Sequence, residues 1–304
     1  MSGFTESSDE DTPASTYYSH AISAFEQRNF KYCEELCRKA AELYERAGND
    51  EVSEVYVQLG LIAYWQGDLD AANKWYRKAL EIEERTGNEH GAARTYHYLS
   101  DIAYAREDFG SAEKLLRKSL KIREQQGDEI GVSESCNQLG LAAYGRGDLN
   151  AAERWYRKSM EIDERNGDEH GAAKLYNNLS AVANKRGDFE SAEKWLWKSI
   201  RIMEKEGDEI AAANSYHQLG VVANDRGDFK SAEKWYFRSL GITEKLNREV
   251  LTAETYCNLG NVARDQEDNK AAEEWYRKAL DIFERNGATH GVIHLGKIAQ
   301  YRGN

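Results

Sequence analysis

Apolar residues recur along this chain at the three- and four-residue spacing of a helix face, in blocks joined by short polar stretches, and pairs of blocks return every forty residues. In the first block of each pair the column Leu59, Leu99, Leu139, Leu179, Leu219, Leu259 never varies. The next residue is Gly60, Ser100, Gly140, Ser180, Gly220, Gly260. Glycine inside a helix costs about 0.5–1 kcal/mol against alanine, so its return predicts that another backbone comes close there. The second block carries Ala72, Ala112, Ala152, Ala192, Ala232, Ala272 and, four residues on, Tyr76, Leu116, Tyr156, Leu196, Tyr236, Tyr276. One helix offers a shallow face and the other fills it. The expected fold is all-α: an antiparallel helix pair, repeated seven times and stacked as a solenoid.

The connections carry their own chemistry. Arg186-Gly187-Asp188 returns as Arg146-Gly147-Asp148 and Arg226-Gly227-Asp228, and in the same register stand Gln66-Gly67-Asp68, Arg106-Glu107-Asp108, Gln266-Glu267-Asp268 and Gln27-Arg28-Asn29. Only the third place is always Asp or Asn, the short acceptor that an N-cap needs. The tripeptide therefore reads as a turn between helices and not as an adhesion motif. Second helices end at Gly48, Gly87, Gly127, Gly167, Gly207 and Gly287, where a left-handed residue closes the helix.

Composition narrows the class. Of 304 residues, 31% are charged and 40% apolar, which is enough for a core in a soluble chain. Residues 1–14, with the single proline Pro13, read as a disordered acidic tail and not as a secretory signal. The longest apolar run, LGLIAYW, is too short to span a bilayer, so no membrane partner is expected. A net charge of −12 argues against nucleic acid. Recurrent pairs such as Arg157-Lys158 have Glu one turn away and read as a salt-bridged surface. Cys33 and Cys37 fall in core columns, Cys136 and Cys257 on separate repeats, so buried thiols in a reducing cytoplasm are expected, with no metal site.

The pattern Tyr-x-x-Leu-Gly-x-x-Ala followed by Ala-x-x-x-Tyr, as in Tyr56 to Ala63 and Ala72 to Tyr76, resembles the tetratricopeptide repeat over about residues 15 to 302. It departs from the 34-residue form, since the proline expected after the second helix is replaced by Glu84, Glu124, Glu164, Glu204, Glu244 and Glu284. In this it is similar to the forty-residue subclass of kinesin light chains, cell-polarity adaptors and sensor arms of bacterial signalling NTPases. A HEAT-like array is the alternative. The resemblance implies one right-handed superhelical solenoid over residues 15–304, seven helix pairs and an incomplete terminal repeat. It also implies that the first helices line a concave groove where ligands bind.

Residues pointing away from the packing stripe are then groove candidates. Earlier repeats offer Val57, Leu61, Tyr64, Trp65, His97, Tyr104, Leu141 and Tyr144, with Asn137 in the column of Val57 and His97. Later repeats offer Asn177, Asn184, Lys185, His217, Asn224, Asp225, Asn261 and Arg264. The expectation is a groove aromatic at one end and amide-rich at the other, although Tyr64, Tyr104 and Tyr144 could instead pack between helices and the amides face water. Trp65 stands outside the second-helix tryptophan column and is a hot-spot candidate. The column Val57, His97, Asn137, Asn177, His217, Cys257 holds none of the lysines of the carboxylate clamp that the family uses for chaperone tails. Trp197 and Phe237 interrupt an arginine column on the second helices and mark a possible second surface.

No nucleophile–base pair, spaced histidine set or phosphate loop fits the repeat, so no enzyme and no cofactor is expected. The reading is an adaptor holding a peptide or helical segment of a protein partner in the groove. Two other uses stay open, a self-assembling structural module working through its ends and a regulatory arm acting on a separate enzyme. The last repeat stops before its second helix, which points to end-to-end self-association there.

Overall fold

The apolar blocks become helices in the computed structural model, which describes residues 13–286. The acidic opening up to residue 12, and the incomplete closing repeat with its expected self-association surface, lie outside the described residues. Among the described residues there are fourteen helices and no strand, so the protein is an all-α repeat solenoid. The helix pairs are α1 (Ala14–Glu26) with α2 (Phe30–Ala47), α3 (Val52–Trp65) with α4 (Leu69–Thr86), and α5 (Glu89–Ala105) with α6 (Phe109–Gln126). They continue with α7 (Glu129–Gly145) and α8 (Leu149–Asn166), α9 (Glu169–Lys185) and α10 (Phe189–Glu206), α11 (Glu209–Asp225) and α12 (Phe229–Lys245), and α13 (Glu249–Asp265) and α14 (Asn269–Arg285).

The chain divides into two compact units, the first ending at Ala152 and the second beginning at Glu153. In the first, α2 packs on α1 and α3, α4 on α3 and α5, and α6 on α5 and α7. In the second, α10 packs on α9 and α11, and α12 on α11 and α13. The core of each is the leucine column: Leu59, Leu99 and Leu139 in one, Leu179, Leu219 and Leu259 in the other, all buried.

The small column beside it has a more specific reason than close backbones. A Cβ added to Gly220 would stand 2.5 Å from Cδ1 of Tyr236, and one on Gly260 would stand 2.5 Å from Cε1 of Tyr276. Gly60 meets the ring of Tyr76 in the same way. The close approach is therefore a tyrosine ring, which corrects the expectation. Where the ring is replaced by Leu116 or Leu196, the first helix can carry Ser100 or Ser180. Their hydroxyls donate to the carbonyls of His97, at 2.5 Å, and Asn177, at 2.7 Å.

Each place in the turn tripeptide also has a role. Asp68, Asp108 and Asp148 cap second helices in the first unit, with Asp68 accepting from the Ala71 N–H at 2.9 Å, and Asp188, Asp228 and Asp268 do so in the second. The middle residue is left-handed, at φ 80° for Gly147 but also at φ 60° for Glu107 and 66° for Glu267. The first residue, where it is arginine, reaches back one repeat. Arg146 pairs with Glu113 at 2.5 Å, Arg226 with Glu193 at 2.8 Å, and Arg186 with Glu153.

The glutamate that stands in place of proline is also engaged. Glu164 accepts from the Tyr176 hydroxyl at 2.6 Å and Glu204 from Tyr216 at 2.6 Å, with Glu84–Tyr96 and Glu244–Tyr256 alike. Each bond ties the end of a second helix to the following first helix. The same tyrosines lie under the second-helix tryptophans, as Tyr176 under Trp195 with centroids 5.5 Å apart and Tyr256 under Trp275 at 5.6 Å. All four cysteines are buried and none is in a disulfide.

Candidate functional site

Two first helices of the first unit, α3 and α5, end in exposed aromatics. Trp65 closes α3 with 66% of its surface open, and Tyr104, near the end of α5, is 37% exposed and meets Phe109 of α6 edge-on at 5.3 Å. Leu61, Tyr64, Leu141 and Tyr144 are half-buried. Val57 is buried in the core, so it is corrected from groove lining to packing. The neighbouring repeat covers that part of the helix face.

This face is not uniformly apolar. Against α5 and α7 lies a cleft of about 500 Å³ lined by Arg94, His97, Tyr98, Arg123, Glu134, Asn137 and Gln138. Arg94 pairs with Glu54 at 2.5 Å, while Arg123 pairs with Glu134 at 3.1 Å and donates to the Gly131 carbonyl at 2.6 Å. Burial, reinforced by Arg123, lowers the His97 imidazole to about 4. Burial lifts the carboxyl of Asp101 to about 7, and His97 Nε2 stands 3.9 Å from it. Buried Glu83 is also pushed up by burial, with Thr95 and Arg94 pulling the other way. The signal was present in the sequence: the column Glu54, Arg94, Glu134 alternates in sign, and Glu83 and Arg123 hold the core column that later carries Met203 and Phe283.

In the second unit two of the amides cross-link adjacent repeats. Asn177 accepts from Ser215 at 3.0 Å, and Asn184 donates to Asp225 at 2.6 Å. Asn261 accepts from the Tyr276 hydroxyl at 2.8 Å, and Arg264 pairs with Asp265 at 2.8 Å. The carbonyl oxygens of Asn184 and Asn224 are buried and make no hydrogen bond. Lys185 is exposed. His217 is buried and is corrected to a core residue. Its Nε2 accepts from Asn258 at 3.0 Å, which leaves Nδ1–H to donate to Thr255 Oγ1, also at 3.0 Å. Burial lowers this imidazole to about 4, so the ring is neutral in the fold. Trp197 and Phe237, on α10 and α12, are exposed.

Among the described residues no group of His, Cys, Asp and Glu is arranged to hold a metal, and no helix is long and apolar enough to cross a membrane.

Comparison with known proteins assigns this architecture. Residues 16–217 match the MalT-like TPR region, and residues 210–285 match the tetratricopeptide repeat. The chain belongs to the MalT-like TPR family. Among solved structures it is similar to the apo form of RapI, at 14% identity and a TM-score of 0.77 over 90% of this chain and 98% of that one. It is similar to BtubC from P. vanneervenii, at 22% identity and a TM-score of 0.61 over 73% of this chain and 93% of that one. It also resembles the Rap conjugation gene regulator of plasmid pLS20 in complex with the Phr* peptide, at 16% identity and a TM-score of 0.63 over 88% and 73% of the two chains. No curated protein matches the sequence.

Proposed function

We propose that this chain is a non-enzymatic cytoplasmic scaffold that holds a peptide or helical segment of a partner protein against its first helices. One observation carries the reading: the first unit exposes Trp65 and Tyr104 at the ends of successive first helices, on a helix series that also bears the cleft of Arg94, His97 and Asn137. Large aromatics with open faces are the side chains that dominate binding energy where proteins meet, and polar groups beside them fix orientation. The Phr* complex of a similarly folded Rap regulator supports a peptide as ligand. A protein partner also suits a chain of net charge −12 better than nucleic acid does.

The test is selection of binders from a random peptide library on the full chain, followed by calorimetry of the best one. Trp65→Ala and Tyr104→Ala are each expected to weaken it roughly tenfold, which is about 1.4 kcal/mol. Unchanged affinity in both, with helical content and melting intact, would remove the first-helix face as the site.

A further inference from the structure

Along the second helices one arrangement repeats. Glu153 holds Arg157 four residues on, at 2.8 Å, and also Arg186 from the next turn, while the Arg157 guanidinium lies 5.6 Å from the ring of Trp195. Glu113 is likewise held by Arg117 at 2.7 Å and by Arg146 at 2.5 Å. In the next two repeats the pattern loses its cations in steps. Glu193 has Trp197 in place of the arginine and keeps Arg226, at 2.8 Å. Glu233 has Phe237 in place of the arginine and Gln266 in place of the turn arginine. Glu233 is half-buried and makes no ion pair among the described residues.

The aromatics that took those places are open to solvent. Trp197 is 42% exposed and packs edge-on to Trp235 at 5.3 Å, and Phe237 is 47% exposed and packs edge-on to Trp275 at 5.8 Å. Gly241, one turn beyond Phe237, leaves open space where other repeats carry a side chain such as Glu161 or Arg201. Phe237 and Gly241 border a cleft of about 650 Å³. The cations along that cleft are already engaged, Lys245 with Glu209 at 3.3 Å and Arg238 over the Tyr216 ring at 5.4 Å.

We infer that the Trp197–Phe237 face binds an arginine-bearing segment of a partner protein, whose guanidinium lies against the exposed Phe237 ring and pairs with Glu233, supplying from outside the cation that Arg157 supplies to Glu153 from within the helix. Guanidinium suits the place better than ammonium because its plane can lie on an aromatic face while its edge meets a carboxylate. The chain's net charge of −12 draws such a segment in. This surface is on second helices and does not depend on the first-helix reading.

The probe is a short peptide alternating Arg and Ala, compared by calorimetry with its Lys/Ala and Glu/Ala counterparts on the full chain. The arginine peptide is expected to bind several-fold tighter than the lysine peptide, and the acidic one not to bind. Trp197→Arg with Phe237→Arg restores the residue that other repeats carry, and should weaken the arginine peptide roughly tenfold. Glu233→Gln, a milder change, should weaken it several-fold. Glu81→Gln with Glu161→Gln, at exposed sites elsewhere, shifts the net charge by the same two units as the paired arginine replacement and should change little. Trp65→Ala should also change little. The inference is overturned if the wild type does not distinguish arginine from lysine, if the charge-matched control weakens binding as much as the aromatic replacements, or if Trp65→Ala does.

Discussion

The ring of Tyr76 occupies the space into which a side chain on Gly60 would project. The same fit joins Gly220 to Tyr236 and Gly260 to Tyr276, while the repeats with serine carry leucine opposite. Gly60→Ser should therefore cost about 1–3 kcal/mol through overpacking, and Tyr76→Leu in the same chain should recover much of it. Urea denaturation of the two singles and the double would show a coupling of about 0.5–3 kcal/mol. Losses that simply add would mean that the pair is not in steric contact.

The turn residues should rank by what they satisfy. Asp228→Ala leaves the Ser231 N–H of the α12 terminus without its acceptor and should cost about 0.5–2 kcal/mol. Arg226→Gln removes partly exposed ion pairs and should cost no more than about 1 kcal/mol. Glu107→Gly relieves a left-handed non-glycine residue, and a gain of about 1 kcal/mol is expected. Thermal melts in which the arginine change outweighs the aspartate change would reverse this ranking.

Titratable groups wholly or half out of solvent set a pH dependence with two opposing parts. His97 and His217 fall from 6.5 to about 4 in the fold, so between about pH 4 and 6.5 the unfolded chain binds more protons at these sites and their contribution to stability rises with pH. Asp101 goes from 3.8 to about 7, so there the folded chain binds more protons and stability falls as pH rises between those values. Asp101→Asn removes the falling part. Its melting temperature, followed across about pH 4 to 8, should gain on wild type as pH rises from about 4 to 7 and hold that gain above 7. Curves that stay parallel would show that Asp101 titrates normally.

The amides of the second unit should act on selectivity more than on strength. Asn184 and Asn224 each keep a carbonyl oxygen without a partner, and a small shift of either side chain would turn that acceptor toward a peptide N–H. Asn184→Ala with Asn224→Ala should reduce discrimination among peptides selected on the wild type while leaving the best affinity within several-fold. Identical rank orders on both chains would show that these amides take no part in peptide choice.

Much of the architecture was legible because the forty-residue register aligns chemistry as well as hydrophobicity. The invariant leucines, the aspartate caps and the left-handed glycines each answer a requirement within one or two turns of chain. What fills a small column is not local, so the close approach to Gly60 was read as a backbone and not as a ring, although glycine with tyrosine and serine with leucine alternate openly in the sequence. The groove face was harder still. A single helix shows which side points away from its pair partner, but not how much of that side the next first helix covers. In the second unit α11 meets both α9 and α13, and His217 is buried. The charged cluster of Arg94 and Arg123 was overlooked because its members sit on different helices and come together only when those helices stack.

The fit of Gly60 to Tyr76 lies wholly within one helix pair, as do those of Gly220 to Tyr236 and Gly260 to Tyr276. The arginine bridges differ, since Arg226 and Glu193 belong to consecutive pairs. A gene segment encoding one pair can therefore be copied or lost with its internal complementarity inherited whole, while each new junction must find its own charges. Lineages of such arrays would then diverge first at the seams, and the seam after Glu233, where Gln266 stands in place of the turn arginine, is one that lacks the bridge.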